Sequence, residues 1–189
     1  MSLLLIFNQE GASLSLIVED GSGKPDADAF VSLSVFQTYC TAKGYDLAAF
    51  DPELAQEPAI RRGTAYLSTA ISWPGRRAHG REQSLAWPRE GVEDAEGWAI
   101  PSDEVPVEVK QATCEAAFYE LRTPNGLAPA VNLTQQVKSK QVGPMRKEFF
   151  AGPMTAQAAR PVLTIIRDIL APLLAPTGRN PLVGMAVRR

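Results

Sequence analysis

Two stretches of the chain combine residue types that could act on another molecule. The first runs Trp73-Pro-Gly-Arg-Arg77, Arg81 and Trp87-Pro-Arg89. It interleaves tryptophan with arginine, a composition that stacks on the bases of a single strand while neutralising its phosphates. Trp73, Arg76, Arg77, Arg81, Trp87 and Arg89 are the candidate contacts there. The same residues admit a packing role, with the tryptophans anchoring the segment on helices and the arginines paired to nearby acids. A proline follows each tryptophan and suits rigid, extended packing, so the sequence favours packing. The second stretch carries Lys138, Lys140, Arg146 and Lys147 around Gly143-Pro144. Four bases on a short hairpin suit phosphate contact without sequence readout.

Other chemistries find too few parts. The chain of 189 residues has one histidine, His79, and two cysteines, Cys40 and Cys114. That excludes a zinc ribbon, a C-x-x-C redox site and any centre needing two histidines. Gly21-Ser-Gly-Lys24 lacks the spacing of a phosphate-binding loop. Glu93-Asp-Ala-Glu96 and Asp103-Glu104 lack a calcium-loop pattern and read as solvated or interfacial charge. No serine stands in a nucleophile elbow. The expectation is a protein that is not an enzyme and has no cofactor and no metal.

The elements that must position these residues follow from periodicity and punctuation. Residues 14–20 form a strand-like run that stops at Gly21. A first helix starts after Ser32 or Ser34, the latter matching a capping box with Gln37, and ends at Lys43-Gly44. Phe36, Tyr39 and Cys40 share its buried face, which makes Cys40 a small core residue rather than a reactive thiol. Asp51-Pro52 opens a short turn, followed by a main helix over 58–72 with Ile60, Gly63, Thr64, Leu67 and Ile71 inward and Arg61 and Arg62 projecting away. Residues 73–104 hold no helical period, and so long a loop is functional or wraps over something.

The third helix is capped by Ser102-Asp-Glu104 and ends at Thr123-Pro-Asn-Gly126. It shows two apolar lines, Val105, Val109, Ala112, Ala116, Tyr119 and Cys114, Phe118, Leu121, so it should be central. A hairpin at about 134–150 and a last helix at about 158–174 complete the domain. The expected fold is mainly α: a small four-helix bundle over 15–176 with a projecting β-hairpin. Extended arms flank it at 1–14 and 177–189.

Charge is divided unevenly. Residues 1–120 hold nineteen acids and nine bases, and residues 121–189 hold two acids and ten bases, within a net charge of −2. Such a split suits a basic half that meets a polyanion, a basic part that docks on an identical neighbour, or solvated charge with no partner. No run approaches eighteen apolar residues, so no membrane span is expected, and the sparse cysteines suggest a cytoplasmic folding compartment.

Several motifs together resemble a known family: Val18-Glu-Asp-Gly-Ser-Gly23, Asp28-Ala-Phe-Val-Ser32, Gln83-Ser-Leu-Ala-Trp-Pro-Arg89, Ile100-Pro-Ser-Asp-Glu-Val-Pro106 and Val142-Gly-Pro144. They are similar to a tailed-phage family labelled DnaT-like single-stranded-DNA-binding proteins, whose members look like head–tail adaptors of siphophages. The resemblance covers residues 15–175 and brings no catalytic residue. It implies a helical virion subunit that assembles, usually as twelve copies, into a ring beneath the portal. The expected partners are further copies of itself, the portal, a tail-side connector and the DNA in the channel, with no membrane.

On that reading the hairpin bases meet a neighbouring subunit or the channel DNA. The C-terminal arm, with Arg179, Leu182, Val183, Met185, Val187, Arg188 and Arg189, docks on the portal. The alternative expectation is a single-stranded-DNA-binding replication accessory protein.

Overall fold

The computed structural model describes residues 15–128, 139–142, 145–148 and 163–174. Four α-helices dominate: α1 (Leu33–Lys43), α2 (Glu57–Ala70), α3 (Val107–Arg122) and α4 (Thr164–Leu174). The strands are short: β1 (Arg76–Arg77) pairs with β2 (Arg89–Glu90), and β3 (Ser139–Val142) with β4 (Met145–Glu148), both antiparallel. The fold is mainly α, as expected. No helix among the described residues is long and apolar enough to cross a membrane.

Helix α1 begins and ends where local chemistry says it should. Ser32 caps it by accepting from the Val35 amide at 3.3 Å, and Gly44 closes it in the left-handed region. Ser34 is not the cap; it lies inside the first turn, and its hydroxyl pairs with that of Ser32. Asp51 accepts from the Glu53 and Leu54 amides and starts a π-helical turn, Pro52–Gln56, that runs into α2. Ile60, Gly63, Thr64 and Leu67 are buried along α2, whereas Ile71 lies just past its end in extended backbone.

Helix α3 is the centre of the molecule. Val109, Ala112 and Ala116 pack into one core with Phe30, Leu67, Trp87, Ile166 and Leu170. Cys114, Ala117 and Leu121 pack into a second with Phe36, Cys40 and Ile60. The two apolar lines of the sequence thus face two separate cores. Gly63 lets α2 approach α3 closely: a Cβ there would stand 3.0 Å from the Ala117 amide nitrogen.

Four expectations need correction. Ser102, Asp103 and Glu104 do not cap α3; Pro106 occupies the cap position with no side-chain bond. Among the described residues the segment before α1 makes one bridge, Val18 to Ala29, with backbone bonds that join Ile17 and Glu19 to Asp28 and Ala29 alone. Arg61 and Arg62 do not simply project: Arg61 pairs with Asp28 and Glu57, and Arg62 with the buried Glu120. The last helix starts at Thr164, with the Leu163 carbonyl accepting its first bond from Arg167. The expected turn at 158–162 lies outside the described residues.

Candidate nucleic-acid interface

The tryptophan–arginine stretch is a wrapped segment whose Leu85, Ala86, Trp87 and Val92 pack into the core that α3 shares with Leu67 and α4. Gln83, 1% exposed, donates to the carbonyls of Leu85 and Pro88 and accepts from the His79 amide. That one amide side chain replaces the hydrogen bonds a loop would otherwise take from water. Trp87 is fully buried and meets Trp73 edge-on at 5.6 Å, while Trp73 donates to the Leu67 carbonyl at the end of α2. The indole nitrogen of Trp87 has no partner among the described residues.

The structure therefore divides the six candidate contacts of this stretch. Arg89 is buried, and its guanidinium donates to the carbonyls of Pro74, Ala86, Gly75 and Trp73. Burial pushes it below its ordinary pKa range, and Arg77, opposite it in the ladder, adds to that shift. Neither Trp87 nor Arg89 can reach a ligand, and Trp73 is half-buried. Arg76 is exposed but paired with Glu90; Arg77 is half-buried, and Arg81 is exposed. Packing, not base stacking, is what the tryptophans do.

The backbone register of β3 and β4 sets which hairpin positions stand opposite one another. Lys140 stands directly opposite Lys147, and Gln141 opposite Arg146. Like charges facing across a strand pair are destabilising unless something neutralises them. Lys138 and the arm residues Arg179, Leu182, Val183, Met185, Val187, Arg188 and Arg189 lie outside the described residues.

Three buried carboxylates escaped the sequence reading. Glu19 accepts from the amides of Gly21, Gly23 and Lys24, so the glycine turn is closed on its own side chain. Glu120 accepts from the Asn125 and Leu127 amides as well as from Arg62, and so organises the turn after α3. Glu115 accepts from the Tyr39 hydroxyl at 2.7 Å and from the Tyr45 hydroxyl at 3.1 and 3.2 Å. Burial, followed by the Glu115 charge, holds Tyr45 above its usual pKa, and burial with the Glu115 hydrogen bond does the same to Tyr39. Both therefore stay protonated donors. The available signal was an acid inside an apolar face: Glu115 follows Cys114 and precedes Ala116, each of which belongs to a core.

The third tryptophan, Trp98, is 72% exposed on a turn held by Asp94, which accepts from the Glu96 and Trp98 amides. With Glu93, Asp94 and Glu96 around it, that turn repels phosphate. Among the described residues no group of three or more histidine, cysteine or carboxylate side chains could hold a metal ion.

The described residues define a mainly α protein built around one helix that faces two cores, with a basic two-stranded hairpin. A family model matches residues 14–189, and its description reads "Putative DnaT-like ssDNA binding protein"; the chain belongs to that family. No curated protein and no solved structure matched. The match overturns the head–tail adaptor function expected from the sequence: the family is described by single-stranded-DNA binding, which favours the alternative expectation.

Proposed function

We propose that this protein binds single-stranded DNA as an accessory to replication. The observation that carries the reading is family membership over residues 14–189, nearly the whole chain. The hairpin supports it: Lys140 opposite Lys147 is a juxtaposition that a phosphate backbone relieves. The contact is electrostatic, tracks the strand and carries no sequence code of its own.

The test is fluorescence anisotropy with a dye-labelled oligothymidine and a duplex of equal length, at two salt concentrations. The expected result is tighter binding of the single strand, weakened by salt and by Lys140→Ala with Lys147→Ala. Equal affinity for the duplex, or no binding at low salt, would overturn the proposal.

A further inference from the structure

One open pocket of the described molecule combines aromatic planes, a cation and a buried acceptor. It lies where the segment after α1, the C-terminal half of α3 and the start of α4 meet, and encloses about 470 Å³. Its walls include Tyr45, Glu115, Phe118, Tyr119, Arg122 and Ile165. Small organic ligands occupy pockets of roughly 300–1,000 Å³.

The side chains are already arranged as a stack. Tyr45 and Phe118 lie ring on ring at 4.1 Å and 6°, and the Arg122 guanidinium sits over Phe118 at 5.9 Å. Aromatic faces and a planar guanidinium are the groups on which an unpaired base stacks. Glu115 adds an unusual element. It is 5% exposed, and Tyr39 and Tyr45 are its donors. A carboxylate offers about four lone-pair positions. Two hydroxyls leave part of that capacity unused, and Glu115 is one of the residues that line the pocket, so a base amino or ring N–H group entering it has an acceptor. Finally, α4 begins at this pocket, and a helix start favours negative charge.

We propose that this pocket holds one nucleobase of a single-stranded DNA segment, stacked against the Tyr45–Phe118–Arg122 pile with its N–H edge toward Glu115. The inference rests on the single-strand reading above and adds to it a base-contacting subsite separate from the hairpin. Phosphate contact by the hairpin sets affinity and salt dependence; the pocket supplies stacking, which salt affects little.

Two experiments on the full chain test it. The first irradiates the wild-type protein with an oligonucleotide carrying 5-iododeoxyuridine and maps the adducts by mass spectrometry. Adducts on Tyr45, Phe118 or Tyr119 are expected; adducts confined to other residues overturn the pocket. The second compares Tyr45→Leu, which keeps apolar cover, with wild type by anisotropy across a salt series. The expected loss is about tenfold in affinity at every salt concentration, the size of one base–aromatic stack. A folded Tyr45→Leu protein with unchanged affinity overturns the pocket and leaves single-strand binding standing. If wild type itself binds no single strand, both proposals fall. Should the variant lose its fold, the wild-type adduct map alone decides.

Discussion

Arg77 and Arg89 face each other in a two-residue ladder, yet only one of them is committed to the interior. Arg89 gives its planar fork to carbonyls of residues 73–75 and 86, so it acts as an internal strut of the wrapped segment. Lysine carries the same charge but cannot make that fork. Arg89→Lys should lower stability by about 3 kcal/mol, because several buried carbonyls lose their donor. A shifted urea midpoint at constant slope would show this, and a midpoint within error of wild type would refute it.

The two cysteines lead to a second prediction at this scale. Burial pushes both Cys40 and Cys114 from an ordinary value of 9.0 up to about 12. The unfolded chain therefore gives up its thiol protons first, and unfolding releases protons. The stability these groups contribute is fully present below about pH 9 and falls as pH rises toward 12. Tyr39 and Tyr45, also shifted upward, add to the loss above their ordinary 10.0. Urea midpoints should thus be level between pH 7 and pH 8.5 and drop at pH 10. Replacing both cysteines by alanine should reduce the early part of that drop.

Elements differed in how much of them the sequence exposed. Helices α1 and α3 were legible because their signals are local: Ser32 and Gly44 at the ends of one, two apolar lines on the other. The segment 73–104 was legible only as something that wraps. Its path is fixed by Gln83 bonding to the Leu85 and Pro88 carbonyls and by Trp87 meeting Trp73, contacts that no periodicity announces. The pairing of Arg62 with Glu120 was hidden for the same reason. Of the candidate site, the paired strands β3 and β4 were readable from the two extended runs around the Gly143-Pro144 dipeptide and from their bases. The Glu115 pocket was not, because Tyr45, Glu115 and Ile165 come from separate parts of the chain.

Two glycines allow the element scale to be tested. Gly21 and Gly44 both have positive φ, but a Cβ on Gly21 would fall 1.9 Å from the Asp103 carbonyl oxygen, whereas Gly44 has open space. Gly44→Ala should cost about 1–2 kcal/mol, the strain of a left-handed backbone. Gly21→Ala should cost clearly more, since it also forces the Glu19 turn away from the approach to α3. Equal melting temperatures for the two variants would contradict that docking.

For the whole molecule, the unequal charge distribution becomes sharper once pairing is considered. Of the bases in residues 1–120, Lys24, Arg61, Arg62 and Arg76 are each held by an acid of the same half, and Arg89 is spent on carbonyls. The acidic half therefore neutralises much of its own positive charge. On the single-strand reading proposed above, its exposed acids would steer the polyanion toward residues 121–189, which hold ten bases and two acids. Each phosphate neutralised on a single strand contributes about −0.7 to the slope of log K against log salt. If the four hairpin bases make those contacts, their share of the slope is about −3. Lys140→Ala with Lys147→Ala should then make the slope shallower by about 1.4. Arg76→Ala, which frees Glu90 but removes no phosphate contact, should leave it unchanged. A salt series on the three proteins reads this directly. A shallower slope for Arg76→Ala with none for the lysine pair would mean that the strand lies across the wrapped segment instead of the hairpin.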